Sequence, residues 1–143
     1  MTTLVLDASV AVKWAMPMAR EPLTDESLRL FKRYTDGEFD LTVPDVFWAE
    51  VCNVLWKGAR RGRWSRNDAE VTAADFRTRD FVTVSSLVLL PEALRIAFAY
   101  DRAVYDCLYV ALAVQARTDL ITADERLANA LAAYLPVKWL GSF

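Results

Sequence analysis

At 143 residues, with 55% hydrophobic and 25% charged residues and only four glycines, the chain suits one globular domain, 1–143, and excludes a disordered or fibrous protein. A net charge of −2 selects no strongly charged partner for the surface as a whole, and the absence of histidine excludes histidine acid–base chemistry. Cys52 and Cys107, the only cysteines, lie in apolar helix-like segments, which fits buried thiols in a reducing cytoplasm better than a secreted disulfide framework.

The first strand is the apolar run Leu4–Leu6, which hands over at Asp7 and Ser9 to a helix, Val10–Ala15, interrupted by Pro17. A second helix runs from about Asp25 to Tyr34, since Leu28, Phe31 and Tyr34 recur every three residues. Thr24 is the expected cap and Leu23 the staple on Leu28. After the turn residues Asp36 and Gly37, Leu41–Val43 reads as a second strand, and Pro44-Asp45 opens a long helix reaching Arg60. A helix from Ser65 or Asn67 through Phe76 follows. Val82–Leu90 is expected to hold a third strand, with Pro91 starting a helix through Ala99.

Val104–Ala116 is a nearly all-apolar helix, Leu120–Thr122 a fourth strand, Glu125–Ala133 a helix and Val137–Leu140 a last short strand. Strands alternating with helices predict an α/β fold with a mainly parallel sheet covered on both faces. The longest apolar stretches, such as Cys107–Val114, fall short of the ~18 residues of a spanning helix, so no membrane association is expected.

In such a sheet, ligands bind beyond the carboxyl ends of the strands. Asp7 in "VLDASV" and Asp124 in "LITAD" both follow a strand there, although Asp at a strand-to-helix turn also caps the next helix. In "PDVFWAEVCNVL" the residues Phe47, Val51, Val54 and Leu55 form one apolar stripe. Glu50 lies at its edge, about 60° from Phe47, and Asn53 shares its side. The bland account of Glu50 is a surface salt bridge. Asp106 is the one carboxylate of the apolar helix "VYDCLYVALAVQA", where the helix dipole alone would favour an acid in the first turn.

Four converging acids would repel one another by on the order of 4 kcal/mol per pair at ~4 Å and an effective dielectric of ~20. Such a cluster either raises its pKa values or holds a cation. Oxygen-only ligands suit Mg²⁺ or Mn²⁺, and metal-assisted attack on a phosphodiester is the leading chemistry. The run "KGARRGRWSR" places Lys57, Arg60, Arg61, Arg63 and Arg66 around Trp64. That patch would neutralise phosphates while the indole stacks on a base, or is a solvated helix end.

The ordered set "VLDASV", "PDVFWAEVCNVL", "YDCLYVALA" and "LITAD" resembles the PIN-domain nucleases, particularly VapC-type toxins, over nearly the whole chain. The resemblance implies a PIN-like three-layer α/β/α fold. It puts the family's acidic metal-site residues on Asp7, Glu50, Asp106 and Asp124, with Ser9, Asn53 and Thr122 as supporting polar groups. It further implies a Mg²⁺- or Mn²⁺-dependent endoribonuclease acting on single-stranded RNA, a homodimer, and a cognate antitoxin. The other classes left open are a non-catalytic RNA- or protein-binding module on the same fold and a phosphatase with Asp7 as nucleophile. The best-known aspartate-nucleophile phosphatases carry a second acid two residues on, where this chain has Ser9.

Overall fold

The computed structural model describes residues 2–143. Its elements in chain order are β1 (Thr2–Leu6), α1 (Ala8–Ala15), α2 (Thr24–Thr35), β2 (Phe39–Pro44), α3 (Val46–Arg60) and α4 (Arg66–Arg77). They continue with β3 (Val82–Val84), α5 (Ser86–Tyr100), α6 (Val104–Ala116), β4 (Leu120–Thr122), α7 (Glu125–Leu131) and β5 (Val137–Trp139). All four strand pairings are parallel, in the order β3-β2-β1-β4-β5, and with the helices they make the three-layer α/β/α arrangement. Because parallel strands are joined by helical crossovers, both faces of the sheet are covered and the central strands carry buried apolar runs. Val5, Leu6, Leu120 and Ile121 accordingly have no exposed surface.

The chain leaves β1 toward β2 on one side and returns to β4 on the other, so strand order reverses between β1 and β4. Leu6 pairs with Ile121 across that junction, and the Asp7 N–H donates to the Ile121 carbonyl at 3.1 Å. The ends of β1 and β4 are thereby fixed side by side.

The apolar helix α6 buries every residue from Cys107 to Ala113, which is why it shows no amphipathic face. In α3 the predicted stripe is buried at Phe47, Val51 and Leu55, while Val54 is left at the exposed edge. Among the described residues no helix is long and apolar enough to cross a membrane.

Several expectations are corrected. The apolar run 82–90 is strand only to Val84, because Ser85 caps α5 by accepting from the Leu87 N–H at 3.2 Å, while the Asp45 carboxylate accepts from the Ser86 N–H and hydroxyl. An apolar run without clear period fits a strand or a helix equally, and the caps decide it here. Pro91 therefore lies inside α5, where it leaves the carbonyl of exposed Leu87 without a helical donor. Thr24 is the first residue of α2, not its cap: its hydroxyl donates to the Glu21 carbonyl at 2.7 Å and Leu23 holds the cap position with φ 68°. Cys107 is buried as expected, but Cys52 is exposed on α3, one residue past the buried Val51.

Gly58 shows what fixes the turn between α3 and α4. The Trp64 indole lies over it, and the indole N–H donates to the Leu55 carbonyl at 2.8 Å. A Cβ on Gly58 would fall 1.9 Å from that ring. Replacing a mid-helix glycine by alanine gains up to ~1 kcal/mol of helix propensity, whereas overpacking costs ~1–3 kcal/mol, and an overlap this deep puts the cost at the upper end. Gly58→Ala is expected to destabilise the fold by about 1–2 kcal/mol net, read as a lower urea midpoint at unchanged slope; an unaltered or raised midpoint would contradict this packing.

Candidate active site

Asp7 stands at the centre of the carboxyl edge. It is the N-cap of α1, and its Oδ2 accepts from the Ser9 hydroxyl at 2.9 Å and the Thr122 hydroxyl at 2.6 Å. Its Oδ1 has only the Ser9 N–H, at 3.5 Å. The two hydroxyls are themselves held: Ser9 Oγ accepts from the Ala123 N–H at 3.1 Å, and Thr122 Oγ1 accepts from the Asp124 N–H at 3.0 Å. Ser9 and Thr122 thus tie the end of β1 to the end of β4 through one carboxylate oxygen and leave the other free for a ligand.

Asp124 caps α7, its Oδ1 accepting from the Leu127 N–H at 3.1 Å. Asp106 lies in the first turn of α6, and half-buried Glu50 in the second turn of α3. Asp7, Asp106 and Asp124 thus stand at the starts of α1, α6 and α7, each offered partial positive charge by its helix, whereas Glu50 lies beyond the first turn of α3.

The four carboxylates feel one another. Burial raises the pKa of Asp7 in spite of the hydroxyls from Thr122 and Ser9, and Asp124 adds to the rise. Burial, then the charges of Asp7 and Asp106, push Glu50 up to about 7. Asp106 is raised by burial and by Asp7 and Asp124, with Arg102 opposing. Its neighbour Cys107 is pushed up to about 11 by burial and Asp106, so the thiol stays protonated at neutral pH. Among the described residues no three acids or cysteines already stand close enough to hold a metal ion. The free donors that face the edge are nonetheless all oxygen, a set suited to a hard, partly hydrated cation and unsuited to zinc.

Of the predicted site residues, Asp7, Glu50, Asp106 and Asp124 share this edge with Ser9 and Thr122. Asn53 is exposed and makes no side-chain hydrogen bond among the described residues. The basic run is divided. Arg63 pairs with Glu21, Arg66 pairs with Glu70 at 2.6 Å, and the Arg60 guanidinium lies 5.3 Å over the Trp56 ring, while Lys57 and Arg61 are exposed. Trp64 is a correction. Half-buried, it packs on Gly58 and donates to the Leu55 carbonyl, so its indole edge is committed to the fold, while Trp56, 52% exposed, is the more open indole of this region.

Sequence reasoning missed Tyr109. Only 2% exposed, it brings its hydroxyl beside Glu50 and the Ala8 backbone without closing a normal hydrogen bond to either. Burial and the charges of Asp7 and Glu50 hold it far above the ordinary tyrosine range, so it is a neutral donor at the floor of the site. The signal for it was its spacing: three residues after Asp106, on the same side of α6.

An α/β domain that gathers acids at the switch point of a parallel sheet belongs to a recognised class. A model of the PIN domain matches residues 4–131, and the chain is a member of that family. Among known proteins it is similar to "Ribonuclease VapC3" of Pyrobaculum aerophilum, 29% identical over 128 residues that cover 88% of this chain and 92% of that one. Two solved structures share the fold. One is PAE2754 from Pyrobaculum aerophilum, with a TM-score of 0.71 at 22% identity, covering 99% of this chain and 85% of that one. The other is VapBC2 from Rickettsia felis bound to a DNA fragment from its promoter, with a TM-score of 0.61 at 10% identity, covering 96% and 98%.

The folded pKa of Glu50 lies above its unfolded value, so between about pH 4.5 and 7 the native state binds more protons than the unfolded chain. Stability is fully present below the unfolded value and is lost as pH rises through the folded one, and the raised Asp7 and Asp106 act in the same direction. In EDTA, the melting temperature of wild type should therefore fall relative to that of Glu50→Gln from about pH 5 to about pH 8. Parallel curves for the two proteins would show that Glu50 is not in this field.

Proposed function

We propose that this protein is a metal-dependent endoribonuclease and the toxin of a toxin–antitoxin pair. The observation that carries the proposal is the four-carboxylate edge at the β1/β4 switch point, where Asp124 acts on Asp7, Asp7 and Asp106 act on Glu50, and Asp7 and Asp124 act on Asp106. The named activity of the VapC3 relative and the toxin–antitoxin complex from Klebsiella pneumoniae that shares the fold support it.

Asp7, through its free Oδ1, would hold Mg²⁺ or Mn²⁺ together with Asp106 and Asp124, with Glu50 as a further ligand or as the group that positions water. When bound, such an ion polarises the scissile phosphate and lowers the pKa of a water. The chain's own part is to orient. Ser9 and Thr122 fix Asp7, and Asp124 is fixed by its cap. In the ion-free site burial and the neighbouring acids push Glu50 up to about 7, and a cation bound beside it would favour the carboxylate, the form that accepts a proton from the attacking water. Hydrolysis forms a bond from that water to phosphorus and breaks the bond to the leaving ribose oxygen, which takes up a proton. We place this activity in the cytoplasm, in keeping with two free thiols.

The decisive experiment is cleavage of a mixed RNA pool by antitoxin-free protein with Mg²⁺, Mn²⁺ or EDTA. Losing one ligand removes several kcal/mol of transition-state stabilisation, so Asp7→Asn and Asp106→Asn should each lower the rate by ~10² or more. Equal cleavage by wild type and variants would reject this site, and the absence of cleavage by any form would leave a very selective nuclease and a binding module to be separated.

The proposal includes a homodimer, and α5 supports it. This helix is apolar on both sides: Leu89, Ala93 and Ile96 enter the core, whereas Leu87, Leu94 and Phe98 are 80%, 50% and 82% exposed. A helix apolar all round is ordinarily buried, and the row at 87, 94 and 98 follows helical spacing. Sedimentation should give a dimer for wild type and a folded monomer for Leu94→Glu/Phe98→Glu. A wild-type monomer at micromolar concentration would remove the dimer from the proposal.

A further inference from the structure

The five cations of residues 57–66 differ in what they are free to do, and the difference follows a line on α3. Counting about 100° and about 1.5 Å per residue, Lys57 and Arg61 each lie about 20° from the direction of Glu50, roughly 10 Å and 16 Å farther along the helix. Arg61 holds the C-cap, so the same count extends to it. Exposed Asn53 stands between, about 60° to one side. Among the described residues neither Lys57 nor Arg61 has an acid within ion-pair distance, in contrast to Arg63 with Glu21 and Arg66 with Glu70. Beside the row, Trp56, Lys57, Arg60 and Arg61 line a shallow hollow with the exposed Trp56 ring as one wall.

We propose that a single RNA strand leaves the acid edge along α3, with successive phosphates on Lys57 and Arg61 and an unpaired base against Trp56. This rests on the reading of the chain as a ribonuclease and adds where the strand runs and that it is held on one side of the cut. The protein as a whole carries −2 and its catalytic edge is acidic, so a polyanion is held only where unpaired cations lie in line with that edge. A row on one helix paired with one open indole matches a backbone with splayed bases, whereas a duplex keeps its base faces stacked and offers none to Trp56. The acids at one end and the cations at the other give the track a direction: the strand is gripped on one side of the scissile bond.

The test uses full-length protein carrying Asp7→Asn, which removes cleavage, and a fluorescein-labelled single-stranded RNA of mixed sequence, followed by anisotropy from low to moderate KCl. Each phosphate contact with a single strand contributes about 0.7 to the slope of log K against log salt. Adding Lys57→Gln and Arg61→Gln together should lower that slope by about 1.4, while Arg66→Gln leaves it unchanged. Trp56→Ala should weaken binding by ~5–100-fold, the range that stacking of one base supplies. Circular dichroism melts of each variant establish that the fold is kept. A double variant with the parent's slope and affinity would overturn the track while leaving the ribonuclease reading intact. Equal binding of an RNA duplex would overturn it as well. A parent that binds no RNA at any salt would bring down the ribonuclease reading, and the track with it.

Discussion

Everything in this molecule is arranged around the cost of holding Asp7 charged at the end of a buried strand. The carboxylate lies at the one junction where the sheet reverses its strand order, and burial opposes its ionisation. Two hydroxyls answer that cost by converging on a single oxygen, and each is oriented by a backbone N–H of the β4–α7 turn. The carboxylate thus acts as a rivet between β1 and β4, with its second oxygen held only by the Ser9 N–H at 3.5 Å. The same polar cluster closes the sheet and opens the site.

The other acids arrive by a different physical route. Asp124 and Asp106 sit at helix starts, where orphan N–H groups and the helix dipole favour negative charge, and Glu50 is carried one turn inside α3 by the burial of Phe47 and Val51 on either side of it. Burial and mutual repulsion then raise Glu50 and Asp106. A cluster in this state is less stable as pH rises and is relieved by positive charge, so its electrostatic strain and its capacity to hold a cation have one origin. Tyr109 brings a neutral donor up beneath the acids from the packed face of α6, where a charged group would worsen the burial.

The helical turn between α3 and α4 shows how packing sorts residues of one composition into different roles. Six of the ten positions from Lys57 to Arg66 are basic or aromatic, yet Trp64 is consumed by the close approach that Gly58 permits, and Arg63 and Arg66 by acids from α4 and from the segment before α2. What stays open, Lys57, Arg61 and Trp56, is set by the helical angle and by which neighbours hold a carboxylate.

By itself the sequence determined the parallel α/β order, the positions of β1, β2 and β4, and the candidate acids Asp7, Glu50, Asp106 and Asp124, because hydrophobic period, strand-end acids and helix-start acids are local signals. It determined equally that no imidazole chemistry is available. That the run 82–90 becomes mostly helix was decided by two caps, the local Ser85 hydroxyl and the Asp45 carboxylate, and the second lies 41 residues away from Ser86. Tertiary structure alone decided that Thr122 bonds Asp7 across 115 residues, that Tyr109 joins the floor of the site, that Trp64 packs on Gly58 while Trp56 is 52% exposed, and that Cys52 faces solvent. The division has one cause: period and capping act within a helical turn, while the partner of a buried polar atom is fixed only when distant strands and helices meet.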